Sequence, residues 1–372
     1  MSEANIKKMI ADTFLEVADA LETGQFGKKP VIGFASEGSE HGKEDVEYAF
    51  SLAKGKNYVP YLIEGEDAHG KMEQLLESGE IDAAVTMHYP FPVGVSTVGK
   101  IITPARGRAM YLATTTGTSD TDRVAAMVRN AIYGIIAAKA DGVEHPTVGI
   151  ANIDGARQTE KYLLKLKENG YDINFATSAR ADGGIVMRGN DLLAASADVM
   201  VMDSLTGNLM TKLFSAYSTG GSYEAVGFGY GPGIGKDFDK LIMIVSRASG
   251  APVVAGAMEY AASLIAHDWK AVAKEEFKKV EAAGFNQILD EIKKPAAKAA
   301  GAEEEVKMPP KEVCTAQIPG IEVMDLEDAV KVLWKNGIYA ESGMGCTGPI
   351  VLMADDKKEK AAQLLTEAGY IG

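Results

Sequence analysis

Leu241-Ile242-Met243-Ile244-Val245 runs without a break into Ser246-Arg247-Ala248-Ser249-Gly250-Ala251-Pro252. Five apolar residues in a row read as a strand buried on both faces. The turn after it gathers two hydroxyls and one guanidinium, and the pattern over 252–265 reads as a helix. Helix N-termini present free N–H groups, so this turn is a suitable seat for a small anion such as phosphate. Ser246, Arg247, Ser249 and Gly250 are therefore the candidate phosphate-binding residues. A polar strand-to-helix turn with a solvated arginine is the competing reading.

Outward from this stretch the same alternation recurs. Residues 31–35, 58–63, 81–87, 147–151, 172–176 and 198–202 read as short apolar strands. Helical patterns lie between and around them, over 5–22, 44–54, 73–78, 120–140, 156–169 and 209–217, with one charged amphipathic helix over 270–293. Ser119 and Asp122 have capping-box spacing for the helix at 120–140. Apolar strands separated by helices imply an α/β fold, a doubly wound and mostly parallel sheet covered on both faces. Ligands in such sheets bind at the carboxyl ends of the strands.

The chain has 372 residues, enough for two or three domains. Apolar content of 46% and charged content of 24% are those of an ordinary globular protein. A net charge of −14 argues against nucleic acid or an anionic membrane as the main partner. Two cysteines without a CxxC pair give neither a disulfide framework nor a zinc signature, which fits a reducing cytoplasm. No apolar run reaches the length of a membrane span, and residues 1–8 lack the apolar segment of a signal peptide. The five histidines show no metal-ligand spacing, so no metal is expected. His88, ending a strand, is the one to watch as an acid or base.

Composition changes abruptly at 294–311, where Ala, Lys, Glu and Pro dominate. This reads as a linker between a body at 1–293 and a small α/β domain at 312–372. That domain contains Glu341-Ser342-Gly343-Met344-Gly345-Cys346-Thr347-Gly348-Pro349, a Gly-rich turn between two strand-like runs. Glycines there allow a second molecule close to the sulfur, so Cys346 is the candidate acyl-carrying nucleophile. A strand connection with an idle cysteine is the alternative. Cys314 begins a strand-like run and reads as a small buried hydrophobe.

Three further stretches stand out. Asp203-Ser204-Leu205-Thr206-Gly207-Asn208 follows the strand at 198–202, and Asp203, Thr206, Gly207 and Asn208 can orient a carbonyl or phosphate there. The same residues are also ordinary turn and cap chemistry. Gly227-Phe228-Gly229-Tyr230-Gly231-Pro232-Gly233-Ile234-Gly235 does not fit a dinucleotide fingerprint and reads as a flexible or close-packed loop beside the pocket. Thr103-Pro104-Ala105-Arg106-Gly107-Arg108 offers two arginines, which solvent claims as readily as an anion does.

Taken jointly, Asp203-x-x-Thr206-Gly207-Asn208, the Gly-rich run and Ser246-Arg247 resemble the phosphate acyltransferases of phospholipid synthesis and the phosphotransacetylases. Ser204-Leu205 stands where the former have Gly-Phe. The resemblance spans about residues 30–290. It implies the isopropylmalate dehydrogenase-like fold, a sheet in two lobes with a cleft between them, and phosphate at the Ser-Arg pair. With the Cys346 turn included, the full chain resembles the alpha subunits of component C of the glycine/sarcosine/betaine reductase complexes. That resemblance implies an acyl-transfer enzyme that needs no cofactor and uses phosphate as substrate. A two-carbon unit arrives from selenoprotein A, rests on Cys346 as a thioester and leaves as acetyl phosphate. It also implies a beta subunit as partner. Two rivals remain: a free-standing phosphotransacylase using coenzyme A or acyl-carrier-protein thioesters, and a non-catalytic scaffold subunit.

Overall fold

The computed structural model describes residues 3–23, 29–54, 56–65, 67–180, 183–294, 306–321, 325–345 and 348–371. The chain begins with α1 (Glu3–Thr23), β1 (Val31–Ala35), α2 (Gly42–Leu52), β2 (Val59–Ile63), α3 (Ala68–Ser78) and β3 (Ala83–Thr86). A hairpin follows, β4 (Val95–Ile102) and β5 (Ala109–Thr118), and then α4 (Arg123–Ala140), β6 (Thr147–Ala151), α5 (Ala156–Glu168), β7 (Asn174–Phe175), β8 (Val186–Met187) and α6 (Gly189–Ala194). Next come β9 (Val199–Val201), α7 (Ser204–Ala216), β10 (Gly231–Ile234), β11 (Ile242–Ile244), α8 (Ala251–Ala266), α9 (Trp269–Ala282) and α10 (Phe285–Lys293). The last elements are β12 (Ala316–Pro319), α11 (Leu326–Lys335), β13 (Ala340–Gly345), β14 (Gly348–Met353) and α12 (Lys358–Glu367).

The large sheet has the order β2-β1-β3-β11-β10-β4-β5-β9-β6-β7, with β8 also paired to β6. Two parallel blocks, β2-β1-β3-β11 and β5-β9-β6 with β7 and β8, are joined by the antiparallel pairs β11-β10, β10-β4 and β4-β5. The expected α/β class with a mostly parallel sheet is therefore what the chain forms. Three successive antiparallel steps have a consequence for the site: strands of the second block run opposite to those of the first. The carboxyl end of β11 and the carboxyl end of β9 thus lie at opposite edges of the sheet.

The apolar strands are buried as their sequences require. Ile32, Phe34, Ala83, Val85, Val148, Val199, Val201 and Met243 belong to one apolar cluster with α4 and α8. Burying a side chain of this size is worth roughly 1.5–3 kcal/mol, so these strands hold the helices in place. Residues 270–293 form two helices instead of one. Gly284 sits between α9 and α10 with φ +82°, a backbone conformation that ends the first helix. Asp122 itself caps α4, its carboxylate accepting from the Ala125 N–H at 2.9 Å, so Ser119 is not the cap.

The Gly-rich run is a loop over residues 227–230 but not throughout. Gly231–Ile234 is β10, at the middle of the large sheet. A Cβ on Gly231 would sit 1.7 Å from the Val98 carbonyl oxygen, so glycine is there for close backbone approach. The hairpin of β4 and β5 had no counterpart among the expected strands. Its Ser96, Thr97, Thr114 and Thr115 are buried, and Thr97 Oγ1 and Thr115 Oγ1 are 2.6 Å apart. Residues 103–108 form its turn, closed by the Thr103 N–H to the Arg108 carbonyl at 2.8 Å.

The C-terminal residues form a separate three-stranded sheet, β12-β14-β13, all antiparallel. It has its own apolar cluster, with Leu333, Ala340, Val351, Met353 and Leu365 at its centre. Of the linker assigned to 294–311, residues 295–305 lie outside the described residues.

Candidate functional site

The turn after β11 is organised by a carboxylate that the sequence did not single out. Glu224 is 1% exposed. Its Oε1 accepts from the Ser246 hydroxyl at 2.8 Å, from the Tyr230 hydroxyl at 2.9 Å and from Lys212 Nζ at 2.9 Å; its Oε2 accepts from the Ser249 hydroxyl at 2.7 Å. Backbone bonds bind the same segments, Glu224 N–H to the Ala248 carbonyl and Gly250 N–H to the Glu224 carbonyl, each at 2.9 Å. A buried carboxylate is tolerated only when paired and hydrogen-bonded, and four donors meet that need. Burial, with Glu224 alongside, also pushes the Tyr230 phenol well above its ordinary pKa, so it stays a donor.

This network gives Ser246 and Ser249 a structural role beside the phosphate-binding one expected of them. Each hydroxyl has one proton, and both are given to Glu224. As acceptors, Ser249 Oγ takes the Ser246 N–H at 3.0 Å and Ser246 Oγ takes the Ala248 N–H at 3.1 Å. In this arrangement the two serines shape the turn and have no proton left for an anion. Gly250 caps α8 without a side-chain bond, and a Cβ there would meet the Tyr223 ring at 2.8 Å.

Arg247 is different. Its side chain is exposed and, among the described residues, no carboxylate or carbonyl lies within bonding distance of its guanidinium. Its carbonyl accepts the Glu40 N–H at 3.0 Å, and His41 Nε2 is 3.1 Å from the Ala248 carbonyl. The loop after β1 is thus tied to the turn after β11. Gly38 of that loop, at φ +90°, lies beneath the side chain, its Cβ position 3.5 Å from Arg247 Nε. Beside it, His69 Nδ1 is 3.9 Å from Glu37 Oε2, and His69 Nε2 is 2.7 Å from the His88 carbonyl. His69, Glu73, His88 and Tyr89 line a shallow depression of about 270 Å³ here. The carboxyl ends of β1, β3 and β11 therefore make one rim, carrying Gly38, His88 and Arg247.

The second set lies elsewhere. Asp203 caps α7: its Oδ1 accepts from the Thr206 N–H and its Oδ2 from the Thr206 hydroxyl, both at 2.9 Å. Arg123 Nη1 is 3.6 Å from Asp203 Oδ2 and Arg123 Nε is 3.9 Å from Asp154 Oδ2. Asp203 and Thr206 are therefore occupied with each other. Gly207 is where α7 meets β5, since a Cβ would lie 1.7 Å from the Thr114 carbonyl oxygen. Asn208 is half-buried, and its amide has no partner among the described residues.

α7 links the two sets. It begins at the carboxyl end of β9 and runs back along the sheet, and at 1.5 Å per residue the nine positions from Asp203 to Lys212 cover about 13 Å. Lys212 therefore arrives at Glu224 and Ser246, while Asp203 stays behind. Asn208 and Lys212, four apart, share one side of the helix. On its outer side Leu205, Leu209, Leu213 and Tyr217 are all exposed, Leu205 at 80%. α1 likewise exposes Ile6, Met9, Ile10, Phe14 and Leu21.

Cys346, the candidate nucleophile, and Thr347 lie outside the described residues. The strands on either side pair up to Gly345 and Gly348. Cys314 is half-buried just before β12, and burial, with Glu341 nearby, pushes its thiol above the ordinary range. Among the described residues no group of three or more His, Cys, Asp or Glu is placed to hold a metal, and no helix is long and apolar enough to cross a membrane.

A mostly parallel sheet with a polar rim at the carboxyl ends of β1, β3 and β11 defines an α/β protein of the kind that binds ligands at its strand ends, and the comparisons with known families narrow it. Residues 21–352 match the family described as fatty acid synthesis protein, and the chain belongs to that family. Among curated proteins, it is 56% identical to the glycine/sarcosine/betaine reductase complex component C subunit alpha of Peptoclostridium acidaminophilum, over 99% of this chain and 100% of that one. It is 25% identical to the phosphate acyltransferase of Bacillus licheniformis over 53% of this chain and 63% of that one.

Proposed function

We propose that this chain is the acyl-transfer subunit of a glycine/sarcosine/betaine reductase complex and that it releases acetyl phosphate. The two-carbon unit arrives from selenoprotein A and is held on Cys346 as a thioester. A phosphate oxygen attacks the thioester carbon, a C–O bond forms and the C–S bond breaks. The sulfur leaves as thiolate and takes up the proton that phosphate gives up. The attack requires the anion to be held against the carbonyl and the oxyanion to be stabilised by positioned donors. Arg247 is the phosphate ligand in this reading, and Asn208 is an available donor for the oxyanion.

The observation that carries the reading is the exposed guanidinium of Arg247, without a partner among the described residues, on a turn locked by Glu224 at a strand-end rim where such sheets bind ligands. Residues 294–311 serve as a tether that lets the domain at 312–372 bring Cys346 to the rim. The apolar stripes on α1 and α7 suit a chain that works beside other subunits, here a beta subunit of component C.

The test is acetyl phosphate formation by the complete complex, with peptide mapping of the acylated chain. Acetyl on Cys346 and a phosphate-dependent yield are expected. Acetyl phosphate made from coenzyme A thioesters by this chain alone would instead favour a free-standing phosphotransacylase. Full turnover with both Cys346 and Arg247 replaced would leave only a scaffold.

A further inference from the structure

Phosphate at neutral pH carries between one and two negative charges and an acyl phosphate about two, whereas the turn after β11 supplies one cation. We infer that Lys212 is the second cationic ligand of the phosphoryl group at this site. The inference rests on the phosphate reading above and adds a residue to it.

Three observations lead there. First, Lys212 Nζ and the Ser246 hydroxyl bond to the same oxygen, Glu224 Oε1, so the ammonium stands beside the turn that carries Arg247. Second, the Lys212 side chain is 48% exposed while its partner is 1% exposed. An ammonium has three N–H donors; one is given to Glu224, and the open side of the group leaves room for the others to meet a ligand. Third, Glu224 already receives the hydroxyls of Tyr230, Ser246 and Ser249. Those hydroxyls leave the carboxylate well hydrogen-bonded and are themselves used up, so the remaining side-chain donors at the turn are cations.

The helix strengthens the argument. Lys212 is carried on α7, which belongs to the β5-β9-β6 block, whereas Arg247 follows β11 of the other block. A phosphoryl group held by both is clamped between the two halves of the sheet. Asn208, one turn earlier on the same side of α7, has its amide unengaged among the described residues and continues the polar edge of the helix away from Lys212. An acyl phosphate, with its phosphoryl group at Lys212 and Arg247 and its carbonyl toward Asn208, fits this order of donors.

The experiment is equilibrium binding of inorganic phosphate, and separately of acetyl phosphate, to the purified full chain by titration calorimetry. Lys212→Met keeps the stem and removes the charge. It is expected to weaken phosphate roughly tenfold or more, as Arg247→Ala does, and Lys212→Arg is expected to restore binding to within about threefold. A structural ion pair alone would change the melting temperature and leave phosphate affinity where it was. Should Lys212→Met fail to fold because it strands Glu224, the same substitution is made in the Glu224→Gln background and compared with that background, with the same expectation. Phosphate affinity unchanged by Lys212→Met but lost in Arg247→Ala overturns the role of Lys212 and leaves the phosphate site standing. No phosphate uptake by the unaltered chain removes the site itself, and Lys212 with it.

Discussion

The Ser246 hydroxyl donates to Oε1 of Glu224 at 2.8 Å, across 22 positions of sequence. Because Ser249 donates to the other oxygen, the turn after β11 is held from inside the protein and Arg247 is left pointing out. One buried side chain thus organises the turn from within, beside the backbone bonds that Glu224 and Glu40 make to it.

Replacing Glu224 with Ala therefore strands three hydroxyl donors, on Tyr230, Ser246 and Ser249. Each lost partner costs about 1 kcal/mol, so a loss of about 3 kcal/mol is expected in denaturant unfolding. Glu224→Gln keeps one acceptor oxygen and is expected to lose about half as much. A loss below about 1 kcal/mol in Glu224→Ala would mean that the turn does not depend on this residue.

Gly207→Ala is the severe substitution in α7. The new methyl would lie 1.7 Å from the Thr114 carbonyl oxygen, and neither backbone can yield without moving α7 off β5. Overpacking of this kind costs about 3 kcal/mol or more. Thermal unfolding is the measurement, and Gly189→Ala, where a Cβ meets nothing, is the control.

Glu276 ties α9 to α4. Burial works to raise the pKa of its carboxyl, yet bonds from Lys139, Tyr171 and Lys279 outweigh it and hold the value below the ordinary carboxylate range. A depressed folded-state pKa contributes stability that is present above the unfolded value of about 4.5 and is lost as pH falls through the folded value. The melting temperature is thus expected to drop as pH falls below about 4.5, and Glu276→Gln to be less stable at pH 7 but flatter across that range. Parallel curves for the two proteins would rule Glu276 out as a source of the acid dependence.

The two cysteines are expected to separate cleanly. Cys346→Ser abolishes acetyl phosphate formation by the reconstituted complex, and Cys314→Ser keeps most of it, since burial and Glu341 disfavour the Cys314 thiolate. Melting temperatures of the two variants show whether either effect comes from misfolding. Acetyl recovered on Cys314 reverses the assignment.

Much of this protein is legible along the chain. The alternation of β1, β3, β6, β9 and β11 with helices follows from runs such as Leu241-Ile242-Met243-Ile244-Val245, because burial on both faces demands unbroken apolar sequence. The Ser246-Arg247 turn at the end of such a strand is visible for the same reason, and so is the resemblance that gives the family. Other features depend on which strands become neighbours. Gly231–Ile234 reads as a loop until Val98 is laid against it, since only a packed neighbour gives a glycine-rich run a reason to be a strand. The β4–β5 hairpin hides its hydroxyls by pairing them with each other, which no apolar count detects. Glu224 looks like any surface carboxylate until Lys212, Tyr230 and the Ser246–Ser249 turn converge on it from three places in the chain. Three antiparallel steps also put Asp203 and Ser246 at opposite edges, though both end strands. Local periodicity determines the apolar strands and the helices between them; only the pairing of distant segments decides that a glycine-rich or hydroxyl-rich stretch is a strand, which polar groups are buried and which remain to meet a ligand.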